Sequence, residues 1–125
     1  AVGLIWKDNR ILISKRNASG LLGGLWEFPG GKIRSGESGS SCVVRKTQEI
    51  LNVLVAPVAF VKQIKHAYSH FSITVDAYTC MFRGGRPRAL NCADFRWIHP
   101  YETGQFAFHR ASHKLFDDII ETASV

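Results

Sequence analysis

At 125 residues the chain is long enough for one domain with a single core that needs neither disulfides nor a structural metal. No apolar run approaches the ~20 residues of a membrane span, and the first apolar stretch is cut at once by Lys7-Asp8-Asn9-Arg10, which argues against a membrane segment or a signal peptide. A net charge of +6 and a pI near 9.6 point to an acidic partner, either nucleic acid or the phosphates of a nucleotide.

Val2 to Trp6 and Ile11 to Lys15 are short apolar runs around a turn whose Asp-Asn pair tolerates positive φ, the pattern of a β-hairpin. Asn17 to Gly24 is rich in Gly, Ser and Asn and predicts a loop, and Phe28-Pro29-Gly30-Gly31 interrupts regular structure. Ser38 is placed to cap a helix running to about Leu51, with Val43, Val44, Ile50 and Leu51 among its apolar residues. Val53 to His66 is β-rich. From Ser69, alternation puts Phe71, Ile73, Val75 and Ala77 on one face and His70, Ser72, Thr74 and Asp76 on the other, a half-buried strand. Arg83-Gly84-Gly85-Arg86-Pro87-Arg88 ends it in a basic turn, Phe95 to Ile98 is a short strand, and Ser112 begins a helix striped with Leu115, Phe116, Ile119 and Ile120. This order predicts an α/β domain with a mixed sheet packed between helices. Cys42, Cys80 and Cys92 are odd in number and lack C-x-x-C spacing, as expected of buried thiols in a reducing compartment, hence a cytoplasmic protein, nucleoid-associated in a bacterium. The chain starts with Ala and enters a strand directly, so residues 1–125 are expected to be one domain excised from the C-terminal part of a longer protein.

Gly31, Glu37, Arg45 and Glu49 stand at the spacing of the Nudix box: a Gly, five residues, a Glu, seven residues, then Arg-Glu-apolar-x-Glu-Glu-x-Gly-apolar. The chain therefore resembles the Nudix family, which implies an α/β/α sandwich with a mixed β-sheet. It departs from the box where the chemistry lives: Lys46 and Ile50 replace two of the Glu residues, Asn52 replaces the Gly, and Thr47 takes the apolar slot. On a helix, positions 46, 49 and 50 project together. In a Nudix hydrolase they carry carboxylates, because Mg²⁺ requires hard oxygen ligands and a pyrophosphate adds charge to be neutralised. A cation and an alkyl group beside one carboxylate do not meet that need. No catalytic residue is assigned, and Gly31, Glu37, Arg45 and Glu49 are expected to be a structural remnant of the box.

Two Nudix-like families share the Glu-Phe-Pro-Gly-Gly-Lys segment: the MutT pyrophosphohydrolases of 8-oxo-dGTP, and the C-terminal domain of MutY adenine DNA glycosylases, which reads 8-oxoguanine in DNA. The second is matched by Gly20-Leu21-Leu22-Gly23-Gly24-Leu25-Trp26-Glu27-Phe28-Pro29 and by His66-Ala67-Tyr68-Ser69-His70, with Tyr in place of the family's Phe. Phe106-Ala107-Phe108 ahead of His113-Lys114-Leu115 also looks like the end of the MutY domain. The resemblance implies lesion recognition by Tyr68, Ser69 and His70, with duplex DNA containing 8-oxoguanine opposite adenine and an N-terminal glycosylase domain as partners. It implies base excision repair, no cofactor in this domain, and an iron–sulfur cluster in the absent catalytic domain. The serine chemistry is plausible on its own terms. Oxidation turns guanine N7 into an N–H donor, which a serine oxygen accepts, and guanine itself is rejected only if the serine proton is already committed. Tyr68 is placed to stack or wedge, and His70 to contact phosphate or hold the loop.

The alternative is a stand-alone Mg²⁺-dependent pyrophosphohydrolase of oxidised nucleotides such as 8-oxo-dGTP, with Glu37 and Glu49 as its metal ligands. A third is a degenerate Nudix domain that binds another protein. Lys62, Lys65, Arg83, Arg86 and Arg88 are the weaker candidates for phosphate contacts. His109 and His113 have the i, i+4 spacing of metal ligands, but no Glu or Cys completes a site. Trp6, Trp26 and Trp97 sit in apolar runs and are expected in the core or an interface.

Overall fold

A computed structural model describes residues 1–123. β1 (Val2–Lys7) and β2 (Arg10–Lys15) pair antiparallel around Asp8-Asn9, whose φ angles of 52° and 64° are the left-handed pair of a type I′ turn. Past the turn the two strands part. β2 pairs along one edge with β6 (Asp94–Ile98), while its other edge is shared by β1 at its beginning and the two-residue β3 (Trp26–Glu27) at its end. β1 in turn runs parallel to β5 (Ser72–Gly84), and β5 antiparallel to the edge strand β4 (Leu54–Ala67), so the six-stranded sheet is mixed, as expected.

α1 (Gly39–Leu51) covers one face of the sheet. Its N-terminus is capped by Ser38, whose Oγ accepts the Ser41 N–H at 3.2 Å, and its C-terminus closes on Asn52 in the left-handed conformation. Val43, Ile50 and Leu51 pack there with Ile5, Leu12 and Cys80. The opposite face holds a second core, in which α3 (Phe116–Ala123) contributes Ile119 beside Leu4, Ile13, Phe28 and Ala77. The layers are thus helix, sheet, helix.

Three boundaries differ from the sequence expectation. β5 starts at Ser72 rather than Ser69, because Tyr68 to Phe71 form a tight turn closed by Tyr68 N–H to the Phe71 carbonyl at 2.7 Å. Its alternation holds nonetheless, and Ile73, Val75 and Ala77 all face the second core. The last helix is two: α2 (Arg110–His113) ends when Lys114 and Leu115 bond three residues back, to Ala111 and Ser112, and α3 begins afresh at Phe116. Between β6 and α2, Pro100–Gln105 form a 3₁₀ turn capped reciprocally by His99 and Glu102, an element the sequence did not announce. The basic run ends β5 at Gly84 and then folds back on the end of α1, with Arg88 N–H bonded to Leu51 O at 2.9 Å and Asn52 Nδ2 to Arg86 O at 3.1 Å.

Candidate functional site

Where β1 and β2 part, the sheet opens into a cavity of about 530 Å³ between the 22–33 segment, β5 and α2. Its walls are mostly apolar, with Phe28, Phe71, Ile73 and Leu115 among them, and polar groups enter through Glu27 and His109. A cavity of this size and polarity suits one flat heterocycle with a few directed hydrogen bonds.

The polar groups form a chain. Arg16 binds both oxygens of Glu27, at 3.0 and 3.2 Å, and Glu27 Oε1 lies 3.3 Å from His109 Nε2. Tyr68 Oη accepts the Ala111 N–H at 2.9 Å and stands 2.9 Å from His109 Nδ1. The Glu27 carboxylate only accepts, so the ring proton that meets it is on Nε2, and in a neutral ring Nδ1 then accepts from the Tyr68 hydroxyl. The chain joins β2, β3, the 68–71 turn and α2, and no sequence motif announced it. The one available signal was Glu27, an acid inside an otherwise apolar phrase.

A smaller cavity of about 300 Å³ adjoins the first and shares Arg16, Leu21, Glu27, Gly30 and Gly31 with it. Lys46 and Ile50 both line it. The Lys46 stem lies against the Gly31 backbone, where an added Cβ would have to displace it, and its Nζ pairs with Glu49 Oε2 at 3.2 Å. The remaining carboxylates are engaged as well. Glu37 accepts from Arg45 at 2.8 and 2.9 Å and from the Arg34 N–H at 3.1 Å, and Arg45 also reaches Glu49 Oε1 at 3.3 Å. The Arg45 hydrogen bonds and that N–H hold the Glu37 carboxyl at about 2, far below the usual carboxylate range. Glu49 is lowered as well, first by Lys46 and then by Arg45. Among the described residues no three His, Cys, Asp or Glu side chains gather as a metal site would require. Lys46, Ile50 and two carboxylates already bound to cations do not fit the hard, oxygen-rich shell of Mg²⁺.

The 68–71 turn lies at the end of the β4–β5 hairpin. Ser69 and His70 are exposed, whereas Tyr68 is half-buried, its ring stacked on Phe71 with centroids 4.8 Å apart and its edge on His66 at 4.6 Å. Lys62 is paired with Asp118 at 2.6 Å, while Lys65 is exposed near the turn. Arg83, Arg86 and Arg88 are exposed at the opposite end of β5, roughly 40 Å from Ser69 at ~3.3 Å per residue over the strand. The structure therefore separates the sequence's two groups of basic residues. His109 and His113 diverge: His109 is buried in the polar chain, and the exposed His113 lies 3.4 Å from the Phe108 carbonyl. Trp6 and Trp26 are buried and Trp97 packs edge-on to Phe82. Cys42 and Cys80 are buried and Cys92 half-buried, and burial pushes the Cys80 thiol up to about 12, consistent with packing rather than chemistry.

The sequence pattern of the NUDIX domain matches residues 1–118. The chain is 30% identical to the adenine DNA glycosylase of Rattus norvegicus over 108 residues, which are 85% of this chain and 21% of that protein. It is 31% identical to the 8-oxo-dGTP diphosphatase of Buchnera aphidicola over 118 residues, 94% of this chain and 89% of that one. The crystal structure of the MutT NUDIX hydrolase from Burkholderia pseudomallei superposes with a TM-score of 0.81 at 22% identity, covering 93% of this chain and 92% of that one. The chain thus spans about a fifth of the glycosylase and nearly all of the diphosphatase. No helix among the described residues is long and apolar enough to cross a membrane.

Proposed function

The chain belongs to the Nudix domain family, and from the departures in its box at Lys46 and Ile50 we propose that it is a recognition domain. It binds 8-oxoguanine opposite adenine in duplex DNA, as part of an adenine DNA glycosylase, and cleaves no pyrophosphate. The observation that carries this reading is the wall of the smaller cavity, where Lys46 and Ile50 occupy Nudix-box positions that carry carboxylates in a hydrolase. A fixed ammonium beside an alkyl group repels a dication, and Glu37 and Glu49 could serve one only by leaving Arg45 and Lys46. The exposed Ser69, on a turn at the rim of the sheet, supports reading of the lesion from outside the cavity. Its oxygen accepts the N7 proton that only the oxidised base carries, and guanine is rejected when the serine proton is held by another acceptor such as a DNA phosphate. Likeness to the rat glycosylase over 85% of the chain points the same way.

A second reading, a free-standing 8-oxo-dGTP diphosphatase, has the stronger support among the relatives, since the Buchnera enzyme is matched over 89% of its length and the rat glycosylase over 21%. The two readings share 8-oxoguanine as ligand and differ in whether its phosphates are cleaved. Incubated with 8-oxo-dGTP and Mg²⁺, the chain is expected to release no pyrophosphate above a protein-free control. Turnover that disappears in Glu49→Gln would establish the diphosphatase instead. In parallel titrations, Ser69→Ala should weaken duplex with 8-oxoguanine opposite adenine by about 1–3 kcal/mol and leave guanine opposite adenine nearly unchanged. Equal losses on both would assign Ser69 to backbone positioning.

A further inference from the structure

Beside the 68–71 turn, α2 is fastened to the end of β4. Lys114 Nζ donates to the Lys65 carbonyl at 2.6 Å, and the Ala111 N–H donates to Tyr68 Oη at 2.9 Å. These bonds bring Arg110 and Lys114, both exposed, to the flank of the turn, next to His66. The charge balance in this corner differs from that of the α1 face and the cavities, where Arg16, Arg34, Arg45 and Lys46 each have a carboxylate. Neither Arg110 nor Lys114 forms an ion pair among the described residues. Their field is felt at His66, whose pKa is held below the ordinary value first by burial and then by Lys114, His109 and Arg110, with no carboxylate opposing them. Gathering like charges without counter-charges works against folding, and a polyanion is what relieves it.

We propose that Arg110 and Lys114, with His66 beside them, bind a backbone phosphate of the DNA strand whose base lies at Ser69. The inference rests on the recognition reading above. The donor count permits it: Lys114 spends one of its three N–H groups on Lys65 and keeps two, and Arg110 offers its whole fork. Arg110 opens the short turn of α2 and Lys114 caps its end, and both charges bear on His66, so the two long side chains lie on the same flank of the 68–71 turn. Because the two bonds to β4 and Tyr68 tie α2 to the turn, a phosphate held here sits in fixed register with the base at Ser69. Such a contact adds grip and no sequence or lesion discrimination.

The test is a fluorescence titration of the 125-residue chain with two duplexes, 8-oxoguanine opposite adenine and guanine opposite adenine, across a range of salt concentrations. Arg110→Gln and Lys114→Gln should each weaken both duplexes by one common factor and reduce the log–log salt slope by about 0.9. The ratio between the duplexes should not change, and Lys114→Arg should restore the slope. Arg110 is exposed and bonded to nothing described, so Arg110→Gln tests the site even if Lys114→Gln loosens α2. An unchanged slope in the double variant, while the unaltered chain still prefers the lesion duplex, would overturn the phosphate site alone. A reduced slope in a chain with no lesion preference would uphold the site and overturn the recognition reading. Binding to neither duplex would overturn both. In a companion titration, 8-oxo-dGTP affinity should be the same in all variants; a loss there with duplex binding intact would assign the cluster to a free nucleotide and overturn the backbone contact.

Discussion

Tyr68→Phe separates the two things Tyr68 does. The ring keeps its stacking on Phe71 and its contact with His66, and only the hydroxyl is lost. With it go two hydrogen bonds of 2.9 Å each, leaving the N–H of Ala111, a residue 1% exposed, and His109 Nδ1, in a residue 9% exposed, without their partner. Stranding a buried polar group costs about 1–3 kcal/mol, and His109 can recover part of its share by changing tautomer, so a net loss of about 2 kcal/mol is expected. With an unfolding entropy of ~2.1 cal/mol/K per residue over this chain, that loss lowers Tm by about 8 °C. Calorimetric melting measures the shift, and amide exchange at Ala111 locates it, since that proton should lose protection while the protons of β1 keep theirs. A Tm within about 2 °C of the unaltered chain, with Ala111 still protected, would refute the tether and leave Tyr68 as a ring alone.

The Glu37–Arg45 contact makes a pH prediction. Glu37 falls from an ordinary 4.5 unfolded to about 2 folded, so its stabilisation is present in full above pH 4.5 and is lost as pH drops through about 2. Glu37→Gln should therefore show a shallower decline in stability across that window than the unaltered chain, by urea midpoints at each pH; identical slopes would mean that the contact contributes nothing. At Gly30 the backbone passes so close to Ala1 and Val2 that an added Cβ would overlap the Ala1 carbonyl oxygen, and backbone on both sides cannot yield as a side chain could. Gly30→Ala should cost at least about 2 kcal/mol, seen as a lower urea midpoint at constant m-value, and an unchanged midpoint would show that the 22–33 segment is free to move.

Much of the fold was legible because its signals are local. Asp8-Asn9 favours the left-handed turn of the first hairpin, Ser38 caps α1 by accepting the N–H three residues on, and the alternation after Ser69 names the buried face of β5 before its partner is known. Helical spacing puts Lys46 within reach of Glu49, with Glu37 as the other candidate, and the structure pairs it with Glu49. The start of β5 and the division of the last helix were not legible, since each depends on a contact made across the fold. The hydroxyl of Tyr68 fastens the 68–71 turn to α2, and α2 stops short of α3 where Leu115 enters the core.

What residues 31 to 52 determine without the rest of the chain is a Nudix-box register with Lys and Ile at two of its carboxylate positions, because Gly31, Glu37, Arg45, Lys46, Glu49 and Ile50 are related by one loop and one helix, whose periodicity fixes which side chains meet. The tertiary structure decided the remainder of the site. Glu27 and His109 are 82 residues apart, Lys65 and Lys114 are 49, and Tyr68 and Ala111 are 43. Periodicity tells which face of an element is buried but not which distant element covers it. That choice comes from packing two helical layers on a mixed sheet, and it alone placed the acid in the cavity and Arg110 and Lys114 beside the turn.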